Sequence, residues 1–591
     1  MKGKRGIQRR LTLSIVIVFA IVAAFSARLV DLQVVQGPAL ARQATNAMTV
    51  TVANSGARGS IVDSSGTVLA DNVDLWDITA APKQITSIPA KGFDYTVKGV
   101  TKTMTVTAAL TRIASLTGRS AATLSAAITA HPNSDFAYLA KGVSASVYSA
   151  VMGLKVPGVY AQPDPARTYP NGAIAGNLVG FMGTAGAQAG IELKYNSCLS
   201  GTTGSSSYQA SADGVRIPGT AVTKSVAKPG GTITLTIDRD LQYQVQEAIA
   251  AQAKKLGAPW ATGVVEQVSN GHLLAVADYP TVDPNNVNGA STSALGSRAF
   301  STPYEPGSTF KAMSVASLID AGAITPTTKI TVPPVYTTGL PPGAFIKDSF
   351  THGTLHYTTA GVLENSSNIG MSILSQSLPA QQRRAYMVKF GVGQKTAVDF
   401  PGESGGILTQ TPWDPITTRA VEFGQGVEAT SVQVAQIFST IANGGVREPS
   451  TLVEGCTHSD GTVTDKPSTK AVRIVSAKAA DETVGMLETV VTGGPISSLL
   501  KIPGYRIAAK TGTAQVAKSN GTGYGNDYII SVAGMVPAND PQYVAVVTFG
   551  PTLTSTSAGA APAFKNVMTD LIKRYRIEPS TTPAPYVQTT W

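Results

Sequence analysis

Three short stretches of the sequence combine the residue types that acyl transfer on a peptide requires. In chain order they are Ser308-Thr309-Phe310-Lys311, Ser366-Ser367-Asn368 and Lys510-Thr511-Gly512-Thr513. A serine hydroxyl attacks an amide only if a base removes its proton, and a lysine serves as that base if its pKa falls from ~10.4 towards ~8. A second ammonium ~4 Å away supplies roughly 4 kcal/mol towards that shift at an effective dielectric of ~20. We expect Lys510 to provide this repulsion. Partial burial of Lys311 would lower its pKa further if the repulsion were not enough.

Ser308 is predicted to begin a helix, because Pro306-Gly307 forms a turn before it and the helical pattern ends at Gly322. Ser308 and Lys311 are three residues apart, so their side chains share a helix face. Two other S-x-x-K stretches, at 225–228 and 498–501, continue into Pro-Gly sequences that do not support a long helix. The sequence therefore predicts Ser308 as the nucleophile and Lys311 as its base. The alternative is a helix-capping serine and a solvated lysine.

The other two stretches carry a proton relay and a carboxylate anchor. Ser366 and Asn368 are predicted to project together from a connection between two helices, where a hydroxyl relays a proton and a carboxamide pairs with a peptide group. The alternative is an ordinary Asx or Ser turn. Lys510 and Thr513 lie on a predicted strand and are suited to hold a carboxylate. Gly512 is expected to let an extended peptide lie against the strand edge, the alternative being a plain strand that ends in a turn.

The bulk composition excludes several classes of protein. At 591 residues, two or more domains are expected, and 43% apolar with 14% charged residues excludes a largely disordered chain. The formal net charge of +10 does not indicate a nucleic-acid-binding surface, because half of it comes from Lys2, Lys4, Arg5, Arg9 and Arg10. Two cysteines cannot form a disulfide framework. Cys198 and Cys456 are expected to be structural thiols, and a bond between them is the alternative.

The amino terminus predicts a membrane anchor. Leu11 to Ala27 contains no charged residue, and a helix of that length covers ~26 Å of a ~30 Å hydrocarbon core. The preceding basic residues place the start of the chain in the cytoplasm and everything after the helix outside the membrane. The alternative is a cleaved signal peptide ending near Ala24-Phe25-Ser26.

The remaining chain predicts one mixed α/β unit after a segment of less regular structure. Residues 28–46 are expected to form a juxtamembrane helix, and 47–225 contain short strand-like and helical pieces. A strand at 231–237, a helix capped by Asp238 or Asp240 and a hairpin around 269–271 begin the second part, and strands return after 505. His352 and His356 lack an adjacent carboxylate and are not expected to bind a metal. No phosphate-binding loop is present, so no cofactor is predicted.

The three stretches match the S-x-x-K, S-x-N and K-T-G signatures of penicillin-binding proteins and serine β-lactamases, and the wider sequence resembles class B penicillin-binding proteins of the FtsI type. The wider resemblance is carried by 28–33, Arg58-Gly59-Ser60-Ile61-Val62-Asp63, Arg167, Tyr169-Pro170, Gly190-Ile191-Glu192, Phe423-Gly424-Gln425-Gly426 and Ala442-Asn443-Gly444-Gly445. The sequence departs from the family at Ala509, where Gly is common, and at 266–271, which replaces D-P-x-T-G.

The resemblance implies an α+β fold with a membrane anchor helix and an elongated β-rich pedestal domain. A penicillin-binding transpeptidase domain follows, built as an antiparallel β-sheet with helices on both faces plus an all-α subdomain. The expected boundaries are a cytoplasmic tail at 1–10, a transmembrane helix at 11–30, a juxtamembrane and pedestal (dimerisation-type) domain at 31–225, the transpeptidase domain at 226–577 and a disordered tail at 578–591.

The resemblance also implies the activity, which is cross-linking of peptidoglycan stem peptides by a D,D-transpeptidase in septal wall synthesis. Ser308, Lys311, Ser366 and Lys510 would be catalytic, and Asn368, Thr511, Gly512 and Thr513 would bind substrate. The N–H groups of Ser308 and Thr513 would form the oxyanion hole. β-Lactams would acylate Ser308, and no metal or cofactor would take part.

The implied partners are stem peptides, β-lactam antibiotics, the membrane, a SEDS glycan polymerase of the FtsW type and other divisome proteins. The implied location is the cell membrane, with a single pass and an extracytoplasmic catalytic domain. Two other functions remain open at this point. One is a penicillin-hydrolysing or D,D-carboxypeptidase relative that shares the three motifs, and the other is a sensor or scaffold that binds β-lactam without turnover.

Overall fold

The computed structural model describes residues 3–97, 99–211, 217–468, 470–518 and 523–591. The first two residues of the predicted cytoplasmic tail, including Lys2, lie outside the described residues. The chain divides into two compact units, formed by 1–57 with 201–230 and by 58–200 with 231–591.

The first unit contains the anchor helix. A helix at Gly3–Val30 continues through a π-helical turn at Asp31–Val35 into a second helix at Gly37–Met48. Within it, Gly6–Val35 is long and apolar enough to cross a membrane and is not buried by the protein. A three-stranded antiparallel sheet follows, with Gly204–Gln209 between Thr49–Asn54 and Val222–Ser225. The predicted N-terminal apolar helix is therefore present, and its length and composition suit a membrane anchor.

The second unit contains a small subdomain that has its own core, built around Ile78, Ile113 and Leu124. Its strands are Leu75–Ala80 between Ala137–Ser144 and Val159–Pro163, and the hairpin Phe93–Val97 with Val100–Met104. Its helices are Pro82–Thr86, Val106–Thr117, Ala121–Thr129 and Ala145–Met152. Ser and Thr residues cap several of these helices, as Thr105 does by accepting from the amide of Ala108.

A six-stranded sheet joins segments that are far apart in sequence. Its strand order is Val463–Thr464, Val453–Thr457, Thr232–Leu235, Ile61–Val62, Val68–Val73 and Ala166–Thr168. The expectation of two free thiols is wrong, because Cys198 and Cys456 form a disulfide across 258 residues with a Cα–Cα distance of 6.4 Å. Sequence spacing does not reveal this pairing, because only the sheet brings the strand of Cys456 beside the helix of Cys198.

The catalytic motifs surround a five-stranded antiparallel sheet. We label its strands β1 (Trp260–Gln267), β2 (Leu273–Tyr279), β3 (Ala508–Ala517), β4 (Tyr524–Val536) and β5 (Tyr543–Thr552), in the order β2-β1-β5-β4-β3. The helices around it are α1 (Arg239–Leu256), α2 (Lys311–Asp320), α3 (Thr359–Glu364), α4 (Asn368–Leu374), α5 (Ser431–Ala442), α6 (Ala477–Thr492) and α7 (Ala561–Tyr575). Asp238 caps α1, one of the two caps that the sequence offered.

Helices cover both faces of this sheet because alternate strand residues point to opposite sides. Val265 and Val532 belong to the core with α1 and α7, whereas Val264 and Ala533 belong to the larger core with α2, α5 and α6. The near-continuous apolar strands β1, β2 and β5 follow from burial on both sides. The predicted α+β architecture is confirmed.

Shorter elements complete the unit. They are the helices Gly176–Val179, Gly190–Lys194, Asn196–Leu199, Arg298–Ser301, Ala380–Phe390, Thr417–Ala420 and Ser497–Leu500, and the strand pairs Met182–Gly183 with Gly186–Ala187, Lys329–Val332 with Leu355–Thr358, and Val446–Arg447 with Val472–Arg473. Single 3-10 turns lie at Thr292–Ala294, Gly307–Phe310, Ser375–Ser377, Val421–Phe423 and Ser557–Gly559.

The tail at 578–591, which the sequence predicts to be disordered, makes contacts with the second unit in this structure. Its backbone is irregular, but the Thr358 amide donates to the Thr589 carbonyl at 3.1 Å, and the Trp591 indole donates to the Tyr357 carbonyl at 3.0 Å. A Cβ at Gly361 would lie 1.9 Å from the Thr589 carbonyl oxygen, so the tail packs directly on α3. The prolines exclude regular structure without preventing an extended segment from bonding to its neighbours.

Candidate active site

The nucleophile turn packs against strand β3. Gly307–Phe310 forms a 3-10 turn that leads directly into α2, which starts at Lys311. Gly307 has φ +57°, and a Cβ there would lie 2.8 Å from the Thr513 carbonyl oxygen. Glycine is therefore required both for the backbone conformation and for the close approach to β3. Ser308 is half-buried and lines two adjoining cavities of about 330 and 560 Å³ together with Ser366 and Thr513.

Lys311 is fully buried and its amine faces the second motif. Its Nζ donates to the Ser366 carbonyl at 2.6 Å and to Asn368 Oδ1 at 2.7 Å, and lies 3.4 Å from Ser366 Oγ. Burial lowers the pKa of Lys311 well below its usual value, the charge of Lys510 lowers it further, and Asp348 opposes both. The expected order of causes is thus reversed, because loss of water contributes more than the second ammonium.

Lys510 approaches the same serine from β3. Its Nζ donates to Ser366 Oγ at 2.9 Å and lies 3.3 Å from the carbonyl oxygen and from Oγ1 of Thr511. Burial lowers the pKa of Lys510 to about 7. Ser366 Oγ therefore lies between two amines that both lose their protons more readily than lysine in water. Such a hydroxyl is suited to carry a proton between them.

The second motif turns sharply between α3 and α4. Ser366 has φ +58°, a left-handed conformation that costs a non-glycine residue about 1 kcal/mol or more. Ser367 caps α4 by accepting from the Gly370 amide at 2.8 Å, and it donates to Asp348 at 2.7 Å. Ser366 and Asn368 face Lys311, whereas Ser367 points away from it.

Within the part of the chain that the structure describes, strand β3 pairs in the sheet with β4 alone, so it is an edge strand. Thr511 and Thr513 are half-buried and line the smaller cavity with Ser308. The predicted reason for Gly512 requires correction, since a Cβ there would lie 2.3 Å from Ser531 Oγ and 2.8 Å from the Pro306 carbonyl oxygen. The absence of a side chain at Gly512 leaves room for the nucleophile turn on the buried face of β3. It does not serve to leave room for a peptide at the outer edge of the strand.

Sequence reasoning missed Asp348, a carboxylate that accepts hydrogen bonds from the second motif and whose charge acts on Lys311. It lies in an irregular segment with no periodicity and no motif that could have indicated it. His352, which the sequence singled out only for its spacing from His356, has its Nε2 3.2 Å from Asp348 Oδ2. Among the residues that the structure describes, no three His, Cys, Asp or Glu side chains are grouped to hold a metal ion.

The comparisons with known proteins agree with this architecture. The family model of the penicillin-binding protein transpeptidase domain matches residues 261–569, and that of the penicillin-binding protein dimerisation domain matches 53–235. The two matched domains and the site define a penicillin-binding protein. More particularly, this chain belongs to the class B penicillin-binding proteins of the FtsI type.

Individual relatives span nearly the whole chain. Penicillin-binding protein PbpB of Mycobacterium tuberculosis is 34% identical over 97% of this chain and 85% of its own length. Peptidoglycan D,D-transpeptidase FtsI of Escherichia coli K12 is 29% identical over 89% of this chain and 85% of its own. A peptidoglycan synthetase structure from Bifidobacterium adolescentis has a TM-score of 0.72 at 31% identity and covers 92% of this chain and 100% of that one. Penicillin-binding protein 3 of M. tuberculosis complexed with aztreonam has a TM-score of 0.68 at 28% identity, over 91% of this chain and 100% of that one.

Proposed function

We propose that this protein is a serine D,D-transpeptidase that cross-links peptidoglycan stem peptides during septal wall synthesis. The observation that best supports this proposal is the position of Ser366 Oγ. This atom lies 2.9 Å from the amine of Lys510 and 3.4 Å from that of Lys311, beside a cavity lined by Ser308. Related proteins are named as peptidoglycan D,D-transpeptidases, and related structures hold aztreonam and ampicillin.

Acylation begins at Ser308. The neutral amine of Lys311 takes the hydroxyl proton while Oγ attacks the carbonyl carbon of the penultimate D-Ala residue. The carbonyl oxygen becomes an oxyanion, and the N–H groups of Ser308 and Thr513 are the proposed donors to it. Burial supports this role for Lys311, because an amine without water around it gives up its proton at a lower pH.

Collapse of the tetrahedral intermediate releases the terminal D-Ala. The C–N bond breaks as the leaving nitrogen receives a proton through Ser366 Oγ, which is replenished from Lys311 or Lys510. An acyl ester on Ser308 remains. An amine on a neighbouring stem then attacks the ester, loses its proton along the same route and releases Ser308 Oγ with its proton restored.

Substrate binding is assigned to the edge strand and the second motif. An extended peptide would add along β3, with its terminal carboxylate held by Lys510 and Thr513, and with Thr511 and Gly512 forming the adjacent part of the strand. Asn368 would hold a peptide group through its carboxamide. A β-lactam would acylate Ser308 in the same way, except that its leaving nitrogen stays tethered to the opened ring.

The anchor helix sets the proposed location. Arg9 and Arg10 precede the apolar stretch, which supports a cytoplasmic amino terminus and an extracytoplasmic catalytic domain. The proposed layout keeps the predicted tail at 1–10, transmembrane helix at 11–30, pedestal at 31–225 and transpeptidase domain at 226–577. A membrane-embedded glycan polymerase of the FtsW type is the proposed partner, together with other divisome proteins, because new strands must be polymerised before they are cross-linked.

Labelling with a fluorescent penicillin tests the proposal. We expect the wild type to retain label after denaturation, and we expect Ser308→Ala and Lys311→Ala to lose it. Retention of label by folded Ser308→Ala would contradict the assigned nucleophile. Rapid loss of label from the wild type, with hydrolysed penicillin as the product, would identify a hydrolase instead.

A further inference from the structure

Asp348 is a buried carboxylate next to the active site that the proposed chemistry leaves unused. It lies before the strand Leu355–Thr358, and its side chain is 0% exposed. Burying a carboxylate is costly unless hydrogen bonds and charges replace the lost water. Its partners therefore indicate what it does.

Three of its contacts are to the first turn of α4. Oδ1 accepts from the backbone N–H groups of Asn368 at 2.6 Å and Ile369 at 2.9 Å, and Oδ2 accepts from the Ser367 hydroxyl at 2.7 Å. The first amides of a helix have no partner within it, and a negative charge is favourable at that end. Asp348 thus fixes the position and direction of the start of α4.

The start of α4 also holds the proposed base. Asn368 is its first residue, and Asn368 Oδ1 accepts from the amine of Lys311 at 2.7 Å while Nδ2 donates to the Lys347 carbonyl at 3.3 Å. A shift of the α4 backbone would therefore move the carboxamide and weaken one of the bonds that orient the Lys311 amine.

Asp348 also acts through its charge. The charged groups that affect Lys311 are Lys510 on β3, which lowers the pKa of Lys311, and Asp348, which raises it. Asp348 in turn faces His352. Burial raises the pKa of Tyr357 on the strand that follows, and the charges of Asp348 and Glu364 raise it further. An amine that loses its proton too readily is a weak base, so a compensating carboxylate preserves its strength.

We propose that Asp348 is a positioning residue for acyl transfer at Ser308: through the first turn of α4 it fixes Asn368 against the amine of Lys311, and it places a negative charge beside the second motif. The inference rests on the proposed function, because it takes Lys311 as the base.

The test measures the rate of acylation by a fluorescent penicillin against pH in three variants of the full-length protein. Asp348→Asn keeps the size and the Oδ1 acceptor but removes the charge. The acidic limb of each profile is the pH range over which the rate rises as Lys311 loses its proton. In Asp348→Asn we expect this limb to lie about one pH unit below that of the wild type. We also expect a lower plateau rate, because the base is weaker. Ser367→Ala removes one contact to Asp348 and leaves the charge, so its rate should fall without movement of the limb.

Asp320→Asn is the matched control. Asp320 also accepts from a backbone amide near the start of a helix, that of Ser476 at 2.7 Å, and from the Tyr386 hydroxyl at 2.7 Å. It ends α2, roughly 14 Å along the helix from Lys311. Its neutralisation should leave the acidic limb in place. Thermal melts establish that each variant is folded.

An unshifted limb in folded Asp348→Asn would overturn the inference and leave the proposed function intact, provided that the wild type is labelled at Ser308. Absence of label on the wild type would instead overturn the proposed function. If Asp348→Asn does not fold, Asp348→Ser supplies the neutral side chain, and the same displacement of the limb is required of it.

Discussion

Lys510 donates from Nζ to the hydroxyl of Ser366 at 2.9 Å, across 144 residues of sequence. The contact joins the edge strand β3 to the turn between α3 and α4. Because burial lowers the pKa of Lys510 to about 7, this amine changes charge within the ordinary working range of pH. The ionisation of Lys510 is therefore coupled to that of the buried Lys311.

Removing the charge of Lys510 should move the pH profile of acylation. In Lys510→Ala the pKa of Lys311 rises, because a positive charge that lowers it is gone. The neutral form of Lys311 is the proposed base, so the acidic limb should move to higher pH by about one unit or more. The rate of labelling by a fluorescent penicillin between pH 5 and 9 measures this. Lys501→Ala, which removes an exposed lysine, is the control and should not move the limb.

Two substitutions at Ser366, which has a left-handed backbone conformation, distinguish loss of the relay hydroxyl from relief of backbone strain. Ser366→Ala and Ser366→Gly both remove the relay hydroxyl, so both should slow acylation by about 10²- to 10⁴-fold. Only glycine adopts φ +58° without strain, and Ser366→Gly should therefore be more stable than Ser366→Ala by about 1 kcal/mol. Denaturant unfolding at one pH gives the difference. Acylation of both variants at the wild-type rate would rule out the relay.

The disulfide should stabilise the six-stranded sheet. It closes a loop of 258 residues, and loss of such a bond costs roughly 2 to 4 kcal/mol. Cys198→Ser with Cys456→Ser should unfold at lower denaturant than the oxidised wild type and should not respond to reductant. Titration of thiols in the denatured wild type should find none before reduction and two after it. Two free thiols in protein secreted under oxidising conditions would contradict the bond.

The contacts of the tail can be tested at Gly361. A methyl group at this position would lie 1.9 Å from the Thr589 carbonyl oxygen, so Gly361→Ala should displace the tail from α3. Limited proteolysis should then cleave residues 578–591 more than tenfold faster than in the wild type, with mass spectrometry to locate the cuts. Gly6→Ala, with nothing within 4 Å, is the control. Equal cleavage in both variants would indicate that the tail is not held there.

The sequence was sufficient for the parts of the fold that local patterns determine. The helix cap at Asp238, the hairpin after β1 and the returning strands all depend on turn residues and alternation within a few positions. The motifs also indicated which side chains carry the chemistry. Lys311 and Lys510 were named for their charges, although their complete burial, which is the larger effect on the pKa of Lys311, is a property of the assembled core.

What the sequence could not provide depends on long-range packing. The Cys198–Cys456 bond, the contacts of the tail and the position of Asp348 each join segments that share no periodicity. Gly512 illustrates the difference. Its presence beside Lys510 was predicted to matter, yet the reason lies in Ser531 and the Pro306 carbonyl, which occupy the space that a side chain would need.

Glu266 should make the stability of the protein fall as pH rises. It is fully buried on β1, and burial raises its pKa from 4.5 to about 8, partly offset by the hydroxyls of Ser439 and Ser450. Between those two values the unfolded chain releases the proton and the folded protein retains it. The free energy of unfolding should therefore fall by about 1.4 kcal/mol for each pH unit in this window.

Glu266→Gln removes this dependence, because glutamine cannot ionise and still offers a carbonyl to the Ser450 hydroxyl, which donates to Glu266 Oε2 at 3.2 Å. The variant should match the wild type most closely near pH 4.5 and exceed it by an increasing margin up to pH 8, as measured by denaturant unfolding at each pH. Glu247→Gln on the exposed face of α1 removes a carboxylate of the same size without burial and is the control. Parallel stability curves for wild type and Glu266→Gln would show that Glu266 ionises alike in the folded and unfolded states.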